Sequence, residues 1–583
     1  MEFDSVCGKL ELAGDLGGWR AEVFHAEPDE GVQLVTFRLA SAAPAVPPAF
    51  DLKFAIPADN IQMRWYPLRN SAMFIPPNWN SCIECQLAVD VPLVSLLSVT
   101  GASVLTFAVS EAMRPIKVFC GYNEEHCELE TRVEFFRVPE APLDRYEFTL
   151  RLDRRPQPYY RAVTAAADWY REFPEYRPCV PPEAAFAPLY SSWYNFHQDV
   201  HDRELEDECA RAVKLGMKTL IVDDGWQTDD NNRGYAFCGD WEISKNRFPD
   251  MRAHVKKIHD LGMKYMVWYS VPFVGMNSKN ATRFAGKYLY SNDGLKTHVF
   301  DPRFPEVREF LINTYETALK EWDIDGFKLD FIDSFVMPAT DPAVAQDYAG
   351  RDIKSLPAAV DRLLSDVMAR LRALKPDILV EFRQRYIGPA IRKYGNMIRV
   401  GDCPGDAIRN RVGSLDLRLT SGATAVHSDM IEFNTAEPAE ASAQQLLNIL
   451  FCVPQVSVRL NTISAAQREM LAFWLGFYTA HRETLLRGDL RPEHPELNYP
   501  LVTAESASET VTAVYGAGQV APVLAGKPHY CVNATGGGEL LLDLPQAARA
   551  EIWDCRGRAL PAAELRPGLQ RLAVPAAGLV KIS

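Results

Sequence analysis

A chain of 583 residues, 47% hydrophobic and 24% charged, has room for roughly two to four domains and a large core. Its formal net charge of −14 disfavours a nucleic-acid or anionic-membrane partner. No apolar run approaches the roughly 18 residues of a membrane helix, and Met1-Glu2-Phe3-Asp4 does not open a signal segment, so a cytoplasmic location is expected.

The first 180 residues alternate short β-rich runs with turns, as in Val32 to Leu39, Val94 to Val99, Val104 to Val109 and Arg145 to Leu152. This pattern predicts an antiparallel β-sandwich without a long helix. The aromatic, proline-rich stretch from Trp65 to Trp79 reads as a long loop. The 12 cysteines are scattered. Cys82 and Cys85 form a CxxC with no second pair or nearby histidine, which favours free thiols over a zinc site.

From residue 181 to 490 the pattern changes to strand, helix, strand, helix. Expected strands are Phe186 to Tyr194, Thr219 to Asp223, Tyr265 to Tyr269, Phe327 to Phe331, Ile378 to Phe382, Met397 to Val400, Thr424 to His427 and Gln455 to Val458. Glu204 to Leu215, Pro305 to Trp322, Ile353 to Leu374 and Ser464 to Tyr478 have helical periodicity. Eight such strands suit a (β/α)8 TIM barrel, and no GxGxxG supports a doubly wound sheet. Residues 491–583 return to short strands and predict a small C-terminal β-domain. The fold class is therefore multidomain α/β.

The segment Gly326-Phe327-Lys328-Leu329-Asp330-Phe331 is the most telling. Two charges sit on the same face of a strand that is otherwise built for burial. An intra-strand ion pair is the bland explanation; a catalytic site is the other. In a barrel, active groups gather at strand C-terminal ends. There the sequence puts Trp193, Asp223-Asp224-Gly225-Trp226, Trp268, Lys328 and Asp330, Glu381 to Arg385, Arg399 to Asp402, and His427 to Asp429. A lone Asp-Asp pair is usually a helix cap. Carboxylates, cations and tryptophans at most strand ends instead suit a polyhydroxylated ligand. Asp330 and a carboxylate near Asp402 could supply nucleophile and acid/base for glycosidic cleavage.

As a set, Asp223-Asp224-Gly225-Trp226, Gly239-Asp240-Trp241-Glu242, Arg247-Phe248-Pro249, Leu261-Gly262-Met263-Lys264 and Gly326 to Asp330 resemble glycoside hydrolase family 36, the melibiase-type α-galactosidases of clan D. The resemblance implies an exo-acting retaining α-galactosidase working by double displacement, without metal or cofactor. It implies Asp330 as nucleophile, Asp223 and Asp224 on O4 and O6 of galactose, and Lys328 on neighbouring hydroxyls. Trp193 and Trp268 would wall the pocket, with Trp226, Arg383 and Arg399 completing the expected sugar contacts. Asp402 is preferred as acid/base because it ends strand 6, whereas Asp406 reads as a helix cap. The implied partner is an α-galactoside oligosaccharide or glycoside, with no nucleic acid and no membrane; a homo-oligomer is compatible with it.

Three segments depart from the family. Trp268-Tyr269-Ser270-Val271-Pro272-Phe273 lacks its two glutamates. Glu381 to Pro389 replaces the glycine-rich stretch with which the family reads the sugar's C2 substituent. The acid/base segment, Gly401 to Ala407, is one residue longer. An enzyme for α-N-acetylgalactosaminides or another α-glycoside, or a transglycosidase, is the alternative. A non-catalytic sugar-binding barrel is a weaker one. Only 11 histidines, unclustered, argue against a metal-dependent hydrolase.

Overall fold

The computed structural model describes residues 1–68, 73–338 and 350–583. Among these, eight parallel strands form one sheet in sequence order: β1 (Leu189–Ser191), β2 (Thr219–Val222), β3 (Lys264–Ser270), β4 (Gly326–Asp330), β5 (Leu379–Arg383), β6 (Met397–Arg399), β7 (Ala425–His427) and β8 (Gln455–Val456). β8 pairs with β1, and bridges His427–Val453 and Ile431–Val456 bring β7 to β8 and close the barrel. The helices that follow the strands are α1 (Asp202–Ala212), α2 (Met251–Asp260), α3 (Pro305–Trp322), α4 (Leu356–Leu374), α5 (Ile391–Tyr394), α6 (Ala407–Thr420), α7 (Ala439–Asn448) and α8 (Ala465–Arg487). A three-stranded sheet (Phe273–Gly275, Tyr288–Asn292, Thr297–Phe300) is inserted after β3.

Ahead of the barrel, two six-stranded antiparallel sheets face each other. Their strands alternate as a half-buried sheet requires: every second residue of Phe50–Pro57 and of Glu128–Phe135 is buried. Phe37 stacks on Phe148 in the core, with ring centroids 4.9 Å apart. Cys82 and Cys85 lie on one edge strand, one exposed and one buried. After the barrel comes a mostly antiparallel seven-stranded sheet that opens with Asp489–Glu493.

Several boundaries differ from expectation. β1 is shorter than Phe186 to Tyr194: Pro188 has no N–H for the ladder, and Ser192 has already turned into the helical region. β8 is shorter too, while α8 runs on to Arg487 behind a Ser464/Gln467 capping box. A helix, Tyr159–Trp169, ends the sandwich where none was expected; its apolar face packs on the Ser103–Val109 strand and on α6. Of the loop read from Trp65 to Trp79, residues 69–72 lie outside the described residues, and Met63–Trp65 is a strand.

The three parts share a buried hydrogen-bond trio. Trp65 of the sandwich donates from Nε1 to Asp416 of α6 and to the Tyr499 hydroxyl, both at 3.3 Å. Tyr499, from the C-terminal part, donates its hydroxyl to Asp416 as well.

Candidate active site

Inward side chains recur every second residue along the barrel strands. At the N-terminal end they are apolar, with Leu189, Ile221, Met266, Leu379, Met397 and Ala425 in one buried cluster. Two residues further along, the lining turns polar: Trp268, Lys328 and Glu381 are register partners across β3 to β5, and Arg383, Arg399 and His427 are register partners across β5 to β7. Asp330 lies two residues beyond Lys328 at the end of β4. The apolar layer plugs the barrel, and the polar layers open at the C-terminal mouth.

Asp330 is held on both oxygens. Oδ1 accepts from Arg383 Nε (2.8 Å), the Tyr386 hydroxyl and the Phe331 amide (2.8 Å); Oδ2 accepts from Trp268 Nε1 (3.1 Å). Burial works to raise its pKa. The charges of Arg383 and Lys328 and the bonds from Tyr386 and Trp268 outweigh burial and hold the carboxyl well below the usual range. Phe331, at φ 62°, is left-handed and ends the strand there.

Lys328 does not pair with Asp330 on its own strand. Its ammonium lies 2.5 Å from Asp223 Oδ2 at the end of β2. The simple intra-strand pair is thus replaced by partners drawn from other strands: Asp223 for Lys328, Arg383 for Asp330.

Neither residue of the Asp223-Asp224 pair caps a helix. The Asp223 amide donates to Ser192 Oγ (2.9 Å), and its carboxylate accepts from the Asp224 amide (2.9 Å). Asp224 accepts from Gln198 Nε2 (2.7 Å) and Gln227 Nε2 (2.6 Å). Burial pushes the Asp224 carboxyl up to about 7, against those two bonds and with the help of the Asp223 charge. Gly225 makes this turn possible. It has φ 122°, and a Cβ there would lie 2.5 Å from the Gln198 carbonyl oxygen.

Arg399 is almost wholly buried. It donates to Asp402 (Nη2 to Oδ1, 2.8 Å) and to Asp429, and its Nε is 3.7 Å from Glu381 Oε1. The Asp402 side chain is 50% exposed, so it is open at the mouth. Partial burial works upward on Asp402, but Arg399, Lys328 and Arg383 outweigh it and lower its pKa. Asp429 is fully buried and also accepts from the Tyr194 hydroxyl (2.5 Å) and the Cys403 amide (2.6 Å). Glu381 accepts from Gln455 Nε2 (2.5 Å); burial pushes it up to about 7 despite Arg399 and Lys328. Asp406 caps α6, accepting from the Arg409 amide.

The structure thus brings together Asp223, Asp224, Trp268, Lys328, Asp330, Arg383, Arg399 and Asp402. Trp193 stands half-buried on the turn after β1, edge-on to His197. Trp226 corrects an expectation. It is fully buried, packs on Tyr269, Trp241 and Trp322 outside the strands, and donates from Nε1 to the Trp268 carbonyl (2.9 Å). It supports the Trp268 backbone and, fully buried among these aromatics, leaves no surface open to the barrel mouth. Sequence reasoning missed Tyr386, Gln198 and Gln227. Glu381, Tyr194 and Asp429 were noticed only as strand-end residues. Gln198 carries no local signal, since its role arises only where the β1 and β2 turns meet.

The fold and site define a three-part (β/α)8-barrel protein with a carboxylate–guanidinium cluster at its mouth. Residues 185–382 match the Melibiase family model. Over that segment the chain is similar in sequence to the Melibiase family, and throughout its length it is similar in fold to GH36 alpha-galactosidases. It is 28% identical over 153 residues to alpha-galactosidase Mel36A of Lactobacillus acidophilus, covering 25% of this chain and 20% of that one. With the bifunctional alpha-galactosidase/sucrose kinase AgaSK of Mediterraneibacter gnavus it shares 26% identity over 207 residues, 33% and 20% of the two chains. The aligned part therefore spans about a fifth of these relatives' length. In structure it is similar to the GH36 alpha-galactosidase AgaA of Geobacillus stearothermophilus (TM-score 0.65, 14% identity, 99% of this chain and 83% of that one). That enzyme has been solved in variant forms with stachyose and with raffinose. No helix among the described residues is long and apolar enough to cross a membrane.

Proposed function

We propose that the protein is an exo-acting, retaining α-galactosidase. The observation that carries this reading is Asp330: a buried carboxylate kept charged by Arg383, Lys328, Tyr386 and Trp268 at the barrel mouth. Such a group is poised as a nucleophile. Asp330 attacks the anomeric carbon and forms a glycosyl ester, while Asp402 donates its proton to the departing oxygen. Asp402 then takes a proton from water, which attacks the ester and releases the sugar with its configuration retained. The solvent-facing position of Asp402 suits this exchange. Asp223, Asp224 and Lys328 take the ring hydroxyls, Trp193 and Trp268 wall the ring, and Arg383 and Arg399 hold the two catalytic carboxylates. Curated relatives named as α-galactosidases, and neighbours solved with galactose-terminated oligosaccharides, support this substrate class.

A panel of aryl α-glycosides, with NMR detection of the first-formed anomer, tests the reading. The expected result is preferential cleavage of the α-galactoside with α-galactose appearing first. Preference for an α-N-acetylgalactosaminide or another α-glycoside moves the substrate; β-galactose first refutes retention.

The Asp223-Asp224 pair sets the sugar. Axial O4 and O6 of galactose lie on one side and can be reached together, whereas the equatorial O4 of glucose points elsewhere. A buried carboxylate deprived of its hydroxyl costs roughly 1–3 kcal/mol, about tenfold or more in selectivity. Asp224→Asn is expected to lower kcat/KM on α-galactosides at least about tenfold with little change in melting temperature. Removing the substrate's 6-hydroxyl then costs the variant less than the wild type. A variant that melts several degrees lower yet keeps its full galactoside preference would make the pair structural.

A further inference from the structure

Two neighbouring cavities lie between the barrel mouth and the N-terminal sandwich. One opens on Asp402 and Arg383; the other runs along Tyr66, Ile83 and Asp90. They share a wall of Leu68, Arg385 and Arg409. Both arginines are exposed, and among the described residues neither guanidinium makes an ion pair or a hydrogen bond.

The carboxylates around these cavities are engaged elsewhere. Glu84 pairs with Lys117 at 3.0 Å, Asp402 with Arg399 at 2.8 Å, and Asp416 accepts from Trp65 and Tyr499. Asp90, close enough to feel Arg385, is buried, and that burial pushes its carboxyl up to about 7. Asp333, the other carboxyl that feels Arg385, is raised by burial too. Arg409 also sits in the first turn of α6, where the helix dipole disfavours a cation. In a chain of net charge −14, two guanidinium groups with no direct ion-pair partner among the described residues, on one wall, form a local positive site. They flank the cavity that begins at Asp402, the side from which the leaving group departs.

We propose that the leaving-group side of this site binds an anionic aglycone, a sugar carrying a carboxylate, sulfate or phosphate, held by Arg385 and Arg409. The proposal rests on the glycosidase reading above, because Asp402 marks the leaving-group side only if it is the acid/base. Guanidinium forks match the oxygens of all three anions, and Tyr66 and Leu68 offer apolar surface to the sugar itself.

The test compares kcat/KM for an α-galactosyl hexuronate, the matching neutral α-galactosyl hexose, and the hexose bearing a sulfate or a phosphate ester. At low salt the wild type is expected to prefer at least one anionic substrate about tenfold or more over the neutral one. Which anion leads separates planar carboxylate from tetrahedral recognition. Raising ionic strength from about 20 mM to about 500 mM should shrink the preference. Arg385→Gln with Arg409→Gln should abolish it while changing the neutral substrate by about threefold or less. Both side chains are exposed, and an unchanged melting temperature confirms that the double variant is folded. Equal rates on anionic and neutral substrates, or a preference that survives the double variant, overturn the proposal and leave the galactosidase reading intact. Failure to cleave any of these galactosides overturns that reading, and this proposal with it.

Discussion

Asp330→Asn is expected to lower turnover of an activated α-galactoside by about three orders of magnitude or more, while calorimetry still detects sugar binding. A thousandfold loss corresponds to about 4 kcal/mol of transition-state stabilisation. Asparagine keeps the shape of the side chain but cannot form and release the glycosyl ester. Arg383, Lys328, Tyr386 and Trp268 favour the charged form of Asp330, so as a nucleophile it would need no prior deprotonation near neutral pH. Asp330→Gly opens space beside Arg383, and azide entering it should restore part of the activity as a glycosyl azide of inverted configuration. Wild-type-like turnover by Asp330→Asn would remove Asp330 from the chemistry.

Asp402→Ala is expected to divide substrates by leaving group. A nitrophenolate departs without a proton, whereas the alkoxide of a second sugar does not. The variant should therefore lose about a hundredfold or more on a galactosyl disaccharide and much less on a nitrophenyl galactoside. The pH profile gives a second reading. With its pKa lowered in the folded protein, Asp402 is protonated only on the acid side, and the acid form is lost as pH rises through that value. For the disaccharide, kcat/KM should fall as pH rises through and beyond that lowered value, while the nitrophenyl substrate stays nearly flat. Asp402→Ala should flatten both. Equal losses on both substrates, or a leaving-group-dependent loss at Asp406 instead, would show that another carboxylate is the acid.

Strand order and the gathering of charged residues at the barrel mouth were legible in the sequence because both follow from local pattern. Apolar runs bounded by turns reveal β2 to β7, and charges at their C-terminal ends mark the mouth. Pairing was not legible. Lys328 and Asp330 sit two residues apart, yet each takes its ion-pair partner from another strand, Lys328 across 105 residues and Asp330 across 53. Trp226 misled for a related reason. An aromatic after Asp223-Asp224-Gly225 looks like a pocket wall, but it is fully buried against Trp322 of α3. Gln198 and Tyr386 are ordinary residues until the chain closes around them.

The trio of Trp65, Asp416 and Tyr499 bears on how far this molecule can be taken apart. Each member comes from a different part of the chain, and Asp416 is the acceptor at the centre. Excising the sandwich removes the indole donor; excising the C-terminal part removes the phenol. A buried carboxylate that loses a donor is left costlier by roughly 1 kcal/mol or more, and α6, which carries it, also carries Asp406 and Arg409 beside the site. The barrel is therefore no interchangeable cassette. Truncation at either end would be felt at the mouth, and a chimera that grafts this barrel onto foreign flanks must bring replacements for both donors.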